Sequence, residues 1–290
     1  MNADESNSSA QRGILYVVAT PLGNLRDISA RALEVLAQVD LVACEDTRHT
    51  GRLLTAYGIS RPLISYFEHN EEARAQALAQ KLAQGTAIAL VTDAGTPAIS
   101  DPGYRLVRAA WDAGCVVRSV PGPSAVTAAL SIAGLPTDRF SFEGFLPARN
   151  GPRQARLREL KYEPRTMVFF ESPRRLSETL TEMTAEFGPD REAAVVRELS
   201  KVFEEVVRGR LEEIANRWPD SPKGEVTLIV AGAHGHHRDR QHGTAGLTID
   251  DLTAAGLQPR QAAKVLARLQ GRSSREVYKE AFSDRRGSDR

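Results

Sequence analysis

The sequence predicts an α/β protein, built as two successive α/β domains with a small helical domain behind them. Short apolar runs alternate with stretches of helical apolar spacing from residue 13 to 120, and again from 139 to 230. Such alternation implies a largely parallel sheet with helices packed on it. Beyond residue 247 the spacing is helical alone. A chain of 290 residues has room for two ordinary domains and an appendage. Its 41% hydrophobic and 26% charged residues are those of a soluble globular protein. The formal net charge is +1, so any affinity for nucleic acid must come from local patches. No apolar run is long enough to cross a membrane, and no membrane partner is expected. Met1 to Arg12 is polar and reads as a disordered tail, not a signal peptide. Cys44 and Cys115 sit far apart in apolar segments and read as buried thiols in a reducing compartment, so the expected location is the cytoplasm.

The expected organisation is a tail over 1–12, α/β domains over 13–121 and 122–233, a linker over 234–247 and helices over 248–290. Gly13 to Ala19 is the first strand and runs into a turn-rich loop over 20–28. Ser29 suits the N-cap of a helix through Ala32, Leu33, Leu36 and Val39. Leu41 to Cys44 is the second strand, followed by a loop over 45–50, and Ile64 to Tyr66 is the third. Asn70 is expected to cap a helix from Glu71 to Gln84 that Gly85 ends. Thr86 to Leu90 is a buried strand, a helix spans 103–113, and Cys115 to Val120 is the next strand. Pro121-Gly122-Pro123 breaks it, and Ser124 suits the N-cap of a helix to Ala133. In the second domain, strands are expected over 139–146, 166–171, 193–198 and 225–230, with helices over 173–187 and 211–218. Three further helices form the tail. Ile249 to Ala255 is one, Pro259 opens the second with Ala262, Ala263, Leu266 and Leu269 on one face, and Ser273 and Ser274 cap the third.

The stretch Val91 to Gly103 leaves the carboxyl end of a strand, where open α/β sheets bind ligands. Gly95 and Gly103 relieve steric constraint, Pro97 and Pro102 stiffen the loop, and Asp93, Thr96, Ser100 and Asp101 put oxygens on it. It offers backbone groups and acceptors and is poorly suited to gripping phosphate. The loops over 20–28, 45–50 and 92–103 should line one sheet edge as a composite site. There is no G-x-G-x-x-G after the first strand and no G-x-x-x-x-G-K-[ST] anywhere, which disfavours a dinucleotide fold and a nucleoside triphosphatase. No metal site is expected. His234, His236, His237 and His242 fall in the polar linker, where a surface cluster is the simpler reading.

Ala19-Thr20-Pro21-Leu22-Gly23-Asn24-Leu25, Cys44-Glu45-Asp46-Thr47-Arg48, Asp93-Ala94-Gly95-Thr96-Pro97, Ser100-Asp101-Pro102-Gly103 and Pro121-Gly122-Pro123-Ser124-Ala125 occur in that order. Together they resemble the tetrapyrrole methylase superfamily. Phe169 to Arg174, Arg197-Glu198-Leu199-Ser200-Lys201 with Glu204-Glu205, and Gly224-Glu225-Val226-Thr227 resemble the second domain of its ribosomal RNA branch. That branch methylates a cytidine 2′-hydroxyl in the decoding region of 16S rRNA. The resemblance runs from about residue 13 to 232, and the helical tail fits it. Ser200 departs from the expected Thr but keeps the hydroxyl. The resemblance implies S-adenosylmethionine held in a cleft between the two α/β domains, a homodimer, and 16S rRNA in the 30S subunit as substrate. Carried over by position, Leu22, Thr96, Ile99, Ser124 and Ala125 touch the cofactor from the first domain and hinge, and Phe170, Leu199 and Thr227 from the second. The residues agree with this, since a cofactor without phosphate needs hydroxyls, backbone groups and apolar walls.

A ribose hydroxyl needs a base or an oxyanion-stabilising cation before it attacks a methyl group. The candidates are Glu45, Asp46, His49, Asp101, Glu198 and Lys201. The favoured assignment is Lys201 with Glu198 as the alkoxide-stabilising pair and Asp46 or Asp101 as proton acceptor. RNA also needs a cationic surface. Arg149, Arg153, Arg156, Arg158 and Lys161 form one cluster, placed in a loop leading into a helix. Arg174 and Arg175 could clamp phosphates, and the tail adds Arg260, Lys264, Arg268, Arg272, Arg275 and Lys279.

Two other readings compete. The same fold could methylate a small tetrapyrrole precursor, but Cys44 to His49 and a basic tail are not needed for that. A non-catalytic RNA-binding assembly factor would not need so many ligand-shaped loops.

Overall fold

A computed structural model of the chain describes residues 13–218, 222–233, 248–254, 256–270 and 272–283. It separates into two compact units, one holding both α/β halves up to Ala231 and the other holding the tail. The expected N-terminal tail and the His-containing linker lie outside the described residues.

The first half carries a sheet of β1 (Ile14–Val18), β2 (Leu41–Cys44), β3 (Leu63–Ser65), β4 (Ile88–Val91) and β5 (Val116–Val120). The order is β3-β2-β4-β1-β5 and every pairing is parallel. Helices α1 (Ala30–Gln38), α2 (Thr47–Ala56), α3 (Glu71–Ala83) and α4 (Tyr104–Asp112) cover it. All four residues of β4 are buried because both faces are packed. Ile88 and Leu90 meet Leu78, Leu82 and Leu106 on one face, while Ala89 and Val91 meet Leu36 and Leu54 on the other. The period-two alternation of a strand produces this split. β4 and β1 are central neighbours, so the loops after them emerge side by side.

The second half begins with α5 (Ala125–Ala133) and carries β6 (Phe140–Phe145), β7 (Thr166–Glu171), β8 (Glu192–Arg197), β9 (Glu205–Arg210) and β10 (Val226–Val230). The order is β6-β7-β10-β8-β9, with only the β6–β7 pair parallel. One face packs against α6 (Asn150–Leu160), α7 (Leu176–Phe187) and α8 (Leu211–Arg217) through Leu157, Leu180, Met183 and Ile214. The other face packs against α5, where Val126, Ala129, Leu130 and Ala133 meet Val168, Val196 and Ile229. In the separate tail unit, α9 (Ile249–Ala254), α10 (Pro259–Gln270) and α11 (Ser274–Ser283) enclose Ile249, Ala262, Ala263, Leu266 and Val277.

The structure corrects the sequence reading at several places. Residues 47–50 are not loop but the first turn of α2, started by the Asp46 carboxylate accepting from the Arg48 and His49 amides. β9 has no counterpart in the sequence reading, because its residues alternate between part-buried and exposed on an edge strand rich in charge. The arginine cluster expected in a loop leading into a helix lies on helix α6 itself, with Arg149 at its N-cap and Lys161 at its C-cap. Asn70 precedes α3 but does not cap it with its side chain. It accepts from the Phe67 amide at 2.9 Å and donates to the Ser65 carbonyl. Ser124 likewise stands at the N-cap of α5 without a side-chain cap bond. In the tail, Ala267 takes the buried place that apolar spacing assigns to Leu269, and Leu269 is 38% exposed.

Candidate active site

The loop after β4 is held from three sides. Thr20, at the end of β1, exchanges backbone hydrogen bonds with Gly95 at 2.9 and 3.0 Å, and its hydroxyl donates to the Thr92 carbonyl. The Thr96 hydroxyl donates to the Pro123 carbonyl at 3.1 Å, tying the loop to the entry of α5. The Glu71 carboxylate, from α3, accepts from the Gly103 amide at 2.9 Å and from the Tyr66 hydroxyl at 3.0 Å. Tyr66 in turn accepts from the Leu106 amide. Ala98 and Ser100 sit at φ 69° and 60°, a left-handed conformation that costs non-glycine residues energy. These anchors over-determine the loop, and so it can carry that strain.

A cavity of about 350 Å³ lies beside it, with Leu22, Ala125, Phe170 and Pro173 as apolar lining and Thr227 among its polar lining. Its polar rim is acidic, with Glu45, Asp93, Asp101 and Glu225; Glu171 also lines it, but its carboxylate is buried and accepts from Arg175, Thr179 and the Ser172 amide. Burial, with the charges of Glu45 and Asp93 nearby, pushes Asp101 up to about 6. Burial and Asp93 raise Glu45 as well. Asp46 is pulled down to about 2 by its hydrogen bonds to the Arg48 side chain and amide. Its oxygens are occupied in capping α2, whereas Asp101 lines the cavity.

From the second sheet, the turn between β8 and β9 brings Lys201 against the loop after β1. Lys201 Nζ donates to Glu198 at 2.9 Å and to Glu225 at 3.1 Å. Burial works against its charge, but the bonds to Glu198 and Glu225 prevail and its pKa is raised, so it stays cationic. The bond from Lys201 lowers Glu198. Glu198 and Ser200 adopt φ 52° and 66°, and the Ser200 hydroxyl donates to Asp27 across the two α/β halves. A second cavity, about 480 Å³, is lined by Lys201, His49, Arg52, Leu25 and Leu53. It shares Leu22, Asp93, Ala94 and Glu225 with the first, so the two adjoin along one wall.

The structure therefore brings Leu22, Ala125, Phe170, Thr227 and Asp101 to one cavity and Lys201 with Glu198 to the next. Thr96 and Ser124 stand at the staple beside them. Leu199 packs against the core under α5, and Ile99 is 44% exposed. Asp93, which the sequence places only among the oxygens of the loop, lines the first cavity, and so do Glu171 and Glu225, which sequence reasoning does not nominate as site residues. Glu225 follows Gly224, which sits at φ 97° with the Glu198 side chain against it, so a Cβ at that position would overlap the Glu198 carboxylate. Among the expected RNA contacts, Arg153 is overturned. It is 1% exposed, with Glu182 at 2.5 Å and Glu178 at 2.5 Å consuming its guanidinium. Arg156 pairs with Glu143 and Glu159 but stays partly exposed. Arg149, Arg174, Arg260, Lys264 and Arg268 are exposed.

The residues fit S-adenosylmethionine. The cavity has the apolar walls a nucleoside needs and carboxylates for a sulfonium and an ammonium, with no basic cradle for phosphate. Among the described residues no cluster could hold a metal ion.

The family model of the tetrapyrrole (corrin/porphyrin) methylases matches residues 14–215. The ribosomal RNA small subunit methyltransferase I of Xylella fastidiosa is 47% identical over 270 residues, 92% of this chain and 98% of that protein. Its namesake in Pseudomonas aeruginosa is 46% identical over 274 residues, 93% and 97% of the two chains. Among solved structures, diphthine synthase aligns with a TM-score of 0.58 at 19% identity, over 76% of this chain and 90% of that one. Uroporphyrin-III C-methyltransferase from Thermus thermophilus, complexed with S-adenyl homocysteine, aligns at 0.54 and 21% identity, over 76% and 98%. These last two establish the fold alone. The chain thus belongs to the tetrapyrrole methylases and, within them, to the family of ribosomal RNA small subunit methyltransferase I.

Proposed function

We propose that this methyltransferase uses S-adenosylmethionine to methylate the ribose 2′-hydroxyl of a cytidine in the decoding region of 16S rRNA, with the 30S subunit as substrate. The observation that carries the reading is the junction of two unlike cavities. One is acidic and apolar-walled, suited to a cationic methyl donor. The other holds Lys201, His49 and Arg52, suited to an anionic strand. Their common wall of Leu22, Asp93, Ala94 and Glu225 is where donor and acceptor would meet.

Leu22, Ala125, Phe170 and Thr227 would hold the cofactor. When bound, it supplies an activated methyl group on a sulfonium. Orientation then contributes much of the rate, because the walls set how the hydroxyl oxygen faces that methyl. Asp101, pushed up to about 6, accepts the hydroxyl proton while still ionised at neutral pH. Lys201, kept cationic by Glu198 and Glu225, stabilises the charge that develops on the ribose oxygen. The protein is read as a cytoplasmic homodimer, a state that sedimentation would test.

The test is methyl transfer from labelled S-adenosylmethionine to small subunits lacking this modification, followed by nucleoside analysis. Label in 2′-O-methylcytidine supports the reading. Cofactor binding without label in RNA would sink it and turn attention to a small-molecule acceptor.

A further inference from the structure

Beyond Lys201 the groove continues into a third cavity of about 750 Å³, between Gly23-Asn24-Leu25-Arg26 and Ser200-Lys201-Val202-Phe203. Its apolar residues are left in water: Val202 is 93% exposed, Phe203 72% and Leu25 47%. The tip does not collapse onto the protein, because its own bonds hold it out. The Lys201 amide donates to the Glu198 carbonyl, the Glu204 amide to the Lys201 carbonyl, and the Ser200 amide to the Glu204 carboxylate at 2.6 Å. The Ser200 hydroxyl fixes the turn to Asp27.

Cations flank this apolar tip. Arg26 lines the same cavity, and Arg52 and His49 line the one on the other side of Lys201. Neither Arg26 nor Arg52 forms an ion pair with any described residue. A rigid aromatic face set among unpaired cations is how proteins receive an unstacked nucleotide, the ring taking the base and the cations the phosphates. Charge complementarity favours a polyanion here over a second copy of the chain, whose formal net charge is +1.

We propose that Phe203, with Val202 and Leu25 beside it and Arg26 and Arg52 flanking, is a subsite for a single-stranded ribonucleotide next to the one that is methylated. Phe203 stacks on its base, and Arg26 and Arg52 hold neighbouring phosphates. The proposal rests on the RNA methyltransferase reading and adds where the strand is gripped, which is neither α6 nor the tail.

Methyl transfer to unmodified small subunits is to be measured with the full chain, Phe203→Ala and Phe203→Trp. The alanine variant should raise KM for subunits about tenfold, the size of one lost base–aromatic stack, and leave cofactor affinity unchanged. The tryptophan variant should restore KM to within about twofold, since any flat ring can stack. Its added indole emission, relative to the parent chain, should be quenched when a cytidine-containing oligoribonucleotide is titrated in. An unaltered KM in Phe203→Ala overturns the proposal. So does loss of self-association in that variant with KM unmoved, which would assign the tip to a second copy. If the parent chain methylates no subunit, the functional reading falls, and the oligoribonucleotide titration decides the subsite alone: quenching keeps it, and its absence removes it.

Discussion

The aliphatic stem of Lys201 lies across Gly23, so that a Cβ at Gly23 would stand 2.5 Å from Lys201 Cγ. Gly23 also sits at φ 147°, outside the range that side chains adopt comfortably. The loop after β1 thus serves as the floor on which the Lys201 side chain rests, and the floor is flat there because Gly23 has no side chain.

Gly23→Ala should therefore act on chemistry more than on binding. The added methyl pushes the Lys201 stem away, and Nζ cannot keep both Glu198 and Glu225. We expect kcat for small subunits to fall at least about tenfold with cofactor affinity within about threefold, and stability to drop by about 1 kcal/mol. Steady-state rates, calorimetry of cofactor binding and urea melts check this. Equal loss of kcat and cofactor binding would mean that the cleft itself had collapsed.

Lys201→Ala removes the cation itself and leaves Glu198 and Glu225 facing each other without their shared partner. Removal of an oxyanion stabiliser typically costs about a hundredfold or more in rate. Lys201→Arg should recover part of that loss, because the charge remains although the guanidinium is bulkier over Gly23. Single-turnover methylation with saturating cofactor measures the effect. A full rate in the alanine variant would remove Lys201 from the chemistry.

The parallel sheet is legible in the sequence because its strands are buried on both faces and read as unbroken apolar runs, as in Ile88 to Val91. The loops of the site are legible for the opposite reason: Gly95, Pro97, Pro102 and Gly103 interrupt that pattern in one place. What escapes depends on partners distant in sequence. Arg153 reads as one of several surface arginines until α7 supplies Glu178 and Glu182. Helix α2 is largely polar and contains Gly51, so only the cap by Asp46 announces it. The acidic rim assembles from the ends of β2 and β4 and the start of β10, and no local spacing reveals that Asp93 and Glu225 face one cavity.

Arg153→Ala tests that correction directly. It strands Glu182, which is largely buried, without its cation, and breaking such a pair costs about 3 kcal/mol. The melting temperature should fall by several degrees while KM for small subunits at a permissive temperature stays within about twofold. A large rise in KM without loss of stability would return Arg153 to the RNA contacts.

Asp101 links catalysis to stability with opposite signs in pH. Its carboxyl is pushed from 3.8 up to about 6 in the folded chain by burial and by Glu45 and Asp93. A carboxyl raised on folding favours the folded state below its unfolded value, and that contribution is lost as pH climbs from about 4 through 6. Above pH 6 the protein thus carries an ionised Asp101 that destabilises it, by about 1–2 kcal/mol once solvent access to a part-exposed group is allowed for. Asp101→Asn should be more stable than the parent at about pH 7.5, with the advantage shrinking towards about pH 4.5. In the proposed mechanism the same ionised form accepts the ribose proton, so parent kcat/KM should rise with pH through about 6 and level off. In Asp101→Asn the rate should be at least about a hundredfold lower. Paired urea melts and pH–rate profiles read both arms. A stabilised variant with an undiminished rate would make Asp101 a strained structural carboxylate and pass the proton to Glu45, the other raised carboxyl at the cavity.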